Sequence, residues 1–205
     1  MIYTTLNGGA HGSDLIFSYD LLSKCLIKYK PDLVILNLNS TDIGDIISRG
    51  GGERNHIVNG NLDGPGPWWE FLFGSSYLVR LIAGNGFHLN WLLMSHKKEA
   101  EETVNALRAI SEQIKAYQQL AQQNHFAFLL IIQPLQQDLE NNILTRLTVD
   151  SAIKKIDLTP CFNQKIIGNH EPINKYYWPI DGHFTTTGYG LEANIIYTDY
   201  FAHEK

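Results

Sequence analysis

Residues 32–42 read Asp-Leu-Val-Ile-Leu-Asn-Leu-Asn-Ser-Thr-Asp, an apolar run that passes into a polar one. The apolar run Leu33–Leu36 is typical of a buried strand in a parallel sheet, which is covered on both faces. The polar run Asn37–Asp42 then lies where the carboxyl end of such a strand reaches a ligand site in open α/β sheets. This stretch predicts an α/β fold with a functional site at the carboxyl edge of its sheet.

The residues before this strand predict the rest of one crossover unit. Ile2–Leu6 favours a short strand, and Asn7–Gly12 is a glycine-rich turn that lets the backbone approach a ligand closely. Ser13 or Asp14 then caps a helix that runs to Pro31. The apolar side chains of this helix recur at helical spacing: Leu15, Tyr19, Leu22 and Leu26.

The residues after the strand predict further helices and a second buried strand. From Lys97 onward an apolar stripe continues over about five helical turns. Its members are Ala100, Val104, Leu107, Ile110, Ile114 and Tyr117. Phe126–Ile132 predicts a buried strand that stops at Pro134, and Ile143–Ile156 predicts a helix leading to a short segment at Ile156–Leu158. The last helix places four residues on one face: Tyr189, Ala193, Ile196 and Tyr200.

Residues 49–96 differ from the rest, and we interpret them as an irregular Gly/Trp-rich insertion within a single domain that spans residues 1–205. This insertion contains two glycine clusters and the tryptophans Trp68, Trp69 and Trp91. Its middle, Phe71–Ile82, predicts a helix. The residues expected on one face of that helix are Leu72, Ser76, Val79 and Ala83.

The composition excludes several classes of function. The chain has 205 residues, of which 44% are hydrophobic, enough for a folded domain with its own core. Its formal net charge of −5 has the wrong sign for a phosphate backbone, so we expect no nucleic-acid partner. The two cysteines lack C-x-x-C spacing, so we expect buried thiols and neither a disulfide framework nor a cysteine zinc site. No apolar run is long enough to span a bilayer and no signal-peptide pattern occurs, which leaves the compartment open.

Asp181-Gly182-His183 is the local motif most suggestive of chemistry. A carboxylate and an imidazole on one loop can orient each other, because the acid fixes the imidazole tautomer and stabilises the imidazolium. The alternative is a helix N-terminus with a capping carboxylate and a surface histidine. The motif by itself does not decide between the two interpretations.

Three segments, taken in order, resemble the conserved blocks of the GDSL or SGNH hydrolase family. Asn7–Gly12 resembles the block after the second strand, and Lys30–Ile43 resembles the block in which a strand ends in Asn-Asp. Trp178–Phe184, followed by Gly188, resembles the closing block. The resemblance covers essentially the whole chain apart from the insertion.

The resemblance assigns roles to four residues. Gly12 matches the glycine whose backbone N–H contributes to the oxyanion hole, and Thr41 stands where the family has an asparagine that also donates to the oxyanion. Asp181 and His183 match the catalytic acid and base, although their spacing is Asp-x-His and the usual spacing is Asp-x-x-His. The hydroxyl of Thr41 can donate one hydrogen bond, with a reach that differs from that of an amide.

The resemblance also implies a fold and an activity. The fold is three-layer α/β/α, a flavodoxin-like parallel sheet of order 2-1-3-4-5 in which this chain lacks the first strand. The activity is serine-type ester hydrolysis or acyl or acetyl transfer, with no cofactor or metal, on a small-molecule ester, a lipid or an acylated carbohydrate. Trp68, Trp69 and Trp178 offer flat faces for a sugar or an acyl chain, or they fill the core under a long loop.

The nucleophile is the main departure from the family. The family's serine lies in a Gly-Asp-Ser block, and no such block occurs in the 205 residues. Ser13 and Ser40 are the alternatives within the chain. Removing a central strand would leave unpaired backbone groups, which cost about 1 kcal/mol or more each when buried. We therefore expect a longer chain to supply the strand and the serine, and the rival is a relative without a nucleophile whose sheet has rearranged.

Three other classes of function remain open at this point. The first is a non-catalytic binding protein for a carbohydrate or acyl ligand, which needs no nucleophile. The second is a metal-dependent phosphoesterase, although no pair of its potential ligands has the i, i+4 spacing of a helical metal site. Those ligands would be His11, Asp42, Asp45, His56, Asp181 and His183. The third is a nucleotide-phosphate cradle at Gly8–Gly12, where G-x-G-x-x-G is not matched.

Overall fold

A computed structural model describes residues 4–9, 14–49, 56–58, 61–63, 70–87, 89 and 94–203. Within these residues the chain is an α/β protein with a three-stranded parallel sheet and a separate two-stranded antiparallel sheet. Shorter 3₁₀ and π-helical turns extend several of the helices. In chain order the main elements are α1 (Leu15–Leu21), β1 (Leu33–Leu38), α2 (Thr41–Arg49), β2 (His56–Val58), β3 (Asn61–Asp63), α3 (Glu70–Ser75), α4 (Tyr77–Leu81), α5 (His96–Asn124), β4 (Ala127–Ile132), β5 (Lys154–Asp157), α6 (Thr159–Asn163) and α7 (Thr186–Asp199).

The chain forms two compact units. One contains Met1–Lys30 and Thr41–Tyr117, and the other contains Pro31–Ser40 and Gln118–Lys205. The second unit holds the parallel sheet, whose strand order is β1-β4-β5. A single domain over residues 1–205 stays a prediction.

The parallel sheet confirms both strands that the apolar runs predict. In β4, the middle strand, Leu129–Ile132 are all buried, as expected where both faces of a parallel strand are covered. β1 pairs with β4 in parallel, with Leu33 opposite Ala127. Because β1 lies at one end of the described sheet, its side chains alternate: Leu38 is buried, whereas Ile35 is 44% exposed.

The core of the second unit is an aromatic cluster beneath α7. The rings of Phe162 and Phe184 stack with centroids 4.4 Å apart, and Tyr177 packs edge-on to Phe184 at 5.1 Å. All three side chains are buried. Gly188 of α7 faces this cluster at close range, since a Cβ built on it would overlap the carbonyl oxygen of Tyr176.

Helix α1 confirms its prediction, including the cap. Asp14 is fully buried, and one carboxylate oxygen accepts hydrogen bonds from the backbone N–H groups of Ile16 and Phe17. The helix then passes through a π-helical turn and a 3₁₀ turn before it ends at Lys30, which is left-handed with φ +50°.

Two predicted elements are wrong. Thr4–Leu6 is irregular rather than a strand, and Leu6 is 63% exposed, because no described strand pairs with this segment. Ile2 and Tyr3 lie outside the described residues. Ile143–Ile156 is not a helix: a 3₁₀ turn over Ile143–Arg146 is followed by β5. The 3₁₀ turn ends because Leu147 is extended, with φ −62° and ψ +124°.

Two helices bury only part of the face that their apolar spacing predicts: in α7, Ile196 and Tyr200 are partly buried against the core. In α5 the prediction holds from the middle onward, at Ile110, Ile114 and Tyr117, but Val104 is 57% exposed. In α7 the buried residues are Gly188, Glu192 and Ile195, whereas Tyr189 is 52% exposed. The inner face of α7 contains Gly188, which lies close to the backbone of Tyr176, and the hydrogen-bonded carboxylate of Glu192. Because neither residue has an apolar side chain, apolar spacing does not predict this face.

The insertion has more regular structure than we expect from its composition. β2 and β3 form an antiparallel pair, and the predicted helix is present as α3 and α4. The two helices are separate because Ser76 is extended and its hydroxyl accepts from the N–H of Val79, which starts a new helix. Ala83 is buried as expected, whereas Leu72 is 36% exposed.

The cysteines and the helices each bear on an expectation from composition. Cys161 is exposed and Cys25 half-buried, so the expectation of two buried thiols is wrong.

α5, with 29 residues, is a long helix but carries many charges. Among the described helices, none has both the length and the apolar character that crossing a membrane requires.

Candidate functional site

Residues Tyr177–Phe184, here named the Asp181 loop, form a tight turn that is closed by its own backbone. Tyr177 and Phe184 make an antiparallel bridge, and the N–H of Trp178 donates to the carbonyl of His183 at 2.8 Å. The N–H of Gly182 donates to the carbonyl of Trp178 at 2.9 Å. Gly182 has φ +70°, a conformation that favours glycine, so the turn needs this residue type.

The structure brings Asp181 and His183 together on this loop. The Asp181 carboxylate accepts a hydrogen bond at 3.1 Å from the backbone N–H of His183, and both residues are exposed. The alternative in which Asp181 caps the last helix is wrong, because the cap of α7 is Thr185. The Thr185 hydroxyl accepts from the N–H of Gly188 and donates to the carbonyl of Lys175.

The Asp181 loop lies against the segment Gln133–Asp138, here named the post-β4 segment. The N–H of Gln136 donates to the carbonyl of Gly182 at 3.4 Å. The buried Tyr177 hydroxyl donates to the carbonyl of Pro134 at 3.2 Å. Because the post-β4 segment leaves the carboxyl end of the middle strand, the loop lies at the carboxyl edge of the sheet, where open α/β sheets hold their ligands.

Asp138 links the ends of β1 and β4. One oxygen of its carboxylate accepts from the hydroxyl of Ser40 at 2.7 Å and from the N–H of Leu135 at 2.9 Å. Asp138 is only 5% exposed, so these bonds are shielded from water. Burial, followed by the charge of Asp138, raises the pKa of the Tyr177 hydroxyl, which therefore stays a neutral donor.

A second buried carboxylate, Glu192, faces the sheet from α7. Its carboxylate accepts from the side-chain amide of Asn37 at 2.9 Å and from that of Gln133 at 3.5 Å. Burial raises the pKa of Glu192 above its ordinary value of 4.5, and the hydrogen bond from Asn37 opposes this increase.

Of the remaining predicted site residues, only Trp178 belongs to the Asp181 loop. Thr41 is the first residue of α2, is exposed, and belongs to the other unit. Gly12, Trp68 and Trp69 lie outside the described residues, so the oxyanion pair and the tryptophan platform stay predictions. Trp178 is on the Asp181 loop itself, with 55% of its side chain exposed.

The potential metal ligands are not clustered in the described parts of the chain. No group of three or more His, Cys, Asp or Glu side chains there is placed to hold a metal ion. The phosphoesterase interpretation therefore gains no support from this part of the structure, and His11, one of its six residues, lies outside it.

Asp138 and Glu192 are the residues that sequence reasoning did not find. Ser40 and Asp138 are 98 positions apart, and Asn37 and Glu192 are 155 positions apart. The available signal was the position of Asp138 shortly after a strand-ending Pro134, and the acidic residue within an otherwise apolar stretch of α7. Neither pattern identifies a partner.

Family models, curated proteins and solved structures were each compared with the chain, and none of them matches it.

Proposed function

We propose that this chain carries the acid–base and oxyanion groups of a serine-type ester hydrolase or acyltransferase of the GDSL/SGNH kind, built on a three-layer, flavodoxin-like α/β/α fold. The nucleophilic serine in this proposal belongs to a Gly-Asp-Ser block outside the 205 residues. One observation supports the proposal most. The Asp181 loop is hydrogen-bonded to the post-β4 segment, at the carboxyl edge of a parallel sheet.

His183 is the general base of the proposed reaction. Its exposed imidazole takes the serine proton as the hydroxyl attacks the ester carbonyl, and then gives that proton to the departing alcohol. Gly12 and Thr41 donate to the oxyanion that forms on the carbonyl oxygen. The acyl group is then transferred to water or to an acceptor alcohol.

Asp181 orients the imidazole in this proposal. In the described geometry its carboxylate accepts from the backbone N–H of His183. Both side chains are exposed, and exposed side chains change rotamer on a picosecond to nanosecond timescale. The N–H of the imidazole replaces the backbone N–H as donor when the reactive geometry forms, as catalytic hydrogen bonds often tighten only in the substrate complex.

The experiment is hydrolysis of p-nitrophenyl acetate by a chain extended upstream to the nearest in-frame Gly-Asp-Ser. We expect turnover that falls about 10²- to 10⁴-fold in His183→Ala, because a general base contributes about that factor. His170→Asn is the matched control: His170 is also exposed in the same unit, has φ +55°, and asparagine tolerates that conformation. Turnover that survives His183→Ala, or an extended protein that is folded and inert, contradicts the proposal; the second result favours a binding protein.

A further inference from the structure

Asp138 is a buried carboxylate that connects Ser40, just beyond the end of β1, with the post-β4 segment. It receives the Ser40 hydroxyl from beyond β1 and the Leu135 N–H from its own segment. Its own backbone N–H donates back to the carbonyl of Leu135 at 3.0 Å. A buried polar group is costly to leave without its partners, so the two donors to the Asp138 side chain hold this turn in place.

The same turn carries the Asp181 loop. The residues on either side of Leu135 make both connections: Pro134 accepts from the Tyr177 hydroxyl and Gln136 donates to the Gly182 carbonyl. A Cβ placed on Gly182 would lie 3.5 Å from the Cβ of Gln136, so Gly182 packs closely beside this residue. A shift of the turn therefore moves Gly182. Because Gly182 stands between Asp181 and His183 in the sequence, this movement also displaces those two residues.

We propose that Asp138 is a positioning residue: its carboxylate fixes the post-β4 segment to Ser40, and that segment holds the Asp181 loop at the carboxyl edge of the sheet. The catalytic part of this inference rests on the proposed function, whereas the structural part does not. Asp138 does not touch the reacting atoms; it acts through Leu135, Gln136 and Gly182.

The chain offers a matched control in Asn142. Asn142 is also 5% exposed, and its side chain also accepts a backbone N–H, that of Leu144, to start a 3₁₀ turn. Its side-chain amide also donates to the hydroxyl of Thr159, the first residue of α6. Asn142→Ala thus removes a comparable buried polar cap without touching the post-β4 segment.

The test is amide hydrogen exchange of the peptide covering Trp178–Phe184, measured in the 205-residue chain. We expect Asp138→Ala to raise its exchange rate about tenfold and Ser40→Ala, which removes one bond of two, about threefold. Asn142→Ala is expected to leave that rate unchanged while lowering global stability similarly. Equal exchange in wild type and Ser40→Ala, or an equal increase in Asn142→Ala, overturns the inference even if Asp138→Ala does not fold.

Kinetics of the extended protein give the second readout. If the positioning role is correct, Asp138→Asn lowers kcat about tenfold with KM unchanged, because the binding surface is kept and the acid–base pair is displaced. A change in KM alone overturns the positioning role. If the wild-type extended protein has no activity, the proposed function fails, and the exchange experiment still decides whether Asp138 holds the loop.

Discussion

Among single residues, Gly188 of α7 lies too close to the backbone of Tyr176 to carry a side chain. A side chain there would overlap the carbonyl oxygen of Tyr176 and lie 2.9 Å from the Cβ of Phe184. Gly190, two residues further along α7, has no atom within 4 Å of a Cβ built on it. The same substitution therefore has opposite consequences at two positions of one helix.

We predict that Gly188→Ala lowers the free energy of unfolding by about 1–3 kcal/mol, the usual cost of overpacking. Gly190→Ala is expected to raise it by about 0.5–1 kcal/mol, because alanine is the better helix former in a helix interior. Urea denaturation of both variants gives the comparison. Equal effects of the two substitutions would show that α7 does not approach Tyr176 as described.

Glu192 predicts a pH dependence of stability. Its pKa is raised by burial in the folded state, so between 4.5 and the folded pKa the folded protein binds the proton and the unfolded chain does not. The stability that this group contributes is therefore fully present below pH 4.5. It is lost as pH rises through the pKa of the folded state.

Glu192→Gln removes this titration and keeps a side chain of similar shape. We expect the free energy of unfolding of the variant to increase relative to that of wild type as pH rises through that window. Urea denaturation at a series of pH values measures the difference, which also cancels the opposite trend from Glu171, whose hydrogen bond from Lys175 lowers its pKa to about 2. A difference that is independent of pH contradicts the burial of a titrating carboxyl under α7.

At the scale of elements, α1 depends on its cap. Asp14 satisfies two of the N–H groups that the first turn of a helix leaves unpaired. We predict that Asp14→Ala costs about 1–2 kcal/mol of stability. Asp20→Ala in the same helix is the control, since its ion pair with Lys24 is exposed and such pairs are worth little. Thermal or urea unfolding that is equally sensitive to both would contradict the capping role.

Substitutions at different positions of the apolar stripe of α5 are expected to differ in their effect on stability. Ile110 is fully buried, so Ile110→Ala is expected to cost about 2–5 kcal/mol. Val104 belongs to the same stripe in the sequence but is 57% exposed, and Val104→Ala is expected to stay within about 0.5 kcal/mol of wild type. The midpoints of urea denaturation test this, and a large cost at Val104 would place the start of the buried face earlier in the helix.

Elements that depend on local patterns were predictable from the sequence. α1, α5, β1 and β4 follow from capping residues and apolar spacing that act within a few residues. The errors fall where a distant partner decides. Thr4–Leu6 has strand-forming residues but no described strand to pair with, and the inner face of α7 is set by Tyr176 and Asn37, which belong to other parts of the chain.

At the scale of the whole molecule, part of the candidate site was predictable and part was not. Asp181 and His183 are neighbours in sequence, so one motif predicts both, and the structure places their loop at the sheet edge that the polar run after β1 predicted. Asp138 and Glu192 were missed because their hydrogen-bond partners are contributed by strand pairing, which the sequence pattern does not encode. The buried carboxylates hold the loop and the sheet together, while the exposed pair faces solvent.

The proposed function requires that Asp181 and His183 activate a serine. The most direct measurement is labelling of the upstream-extended protein with a fluorophosphonate probe, followed by identification of the labelled serine by mass spectrometry. We predict a single label on the serine of the Gly-Asp-Ser block, reduced at least about 10²-fold in rate by His183→Ala. A label on Ser40, a label whose rate is independent of His183, or no labelled serine in the folded protein would contradict the claim.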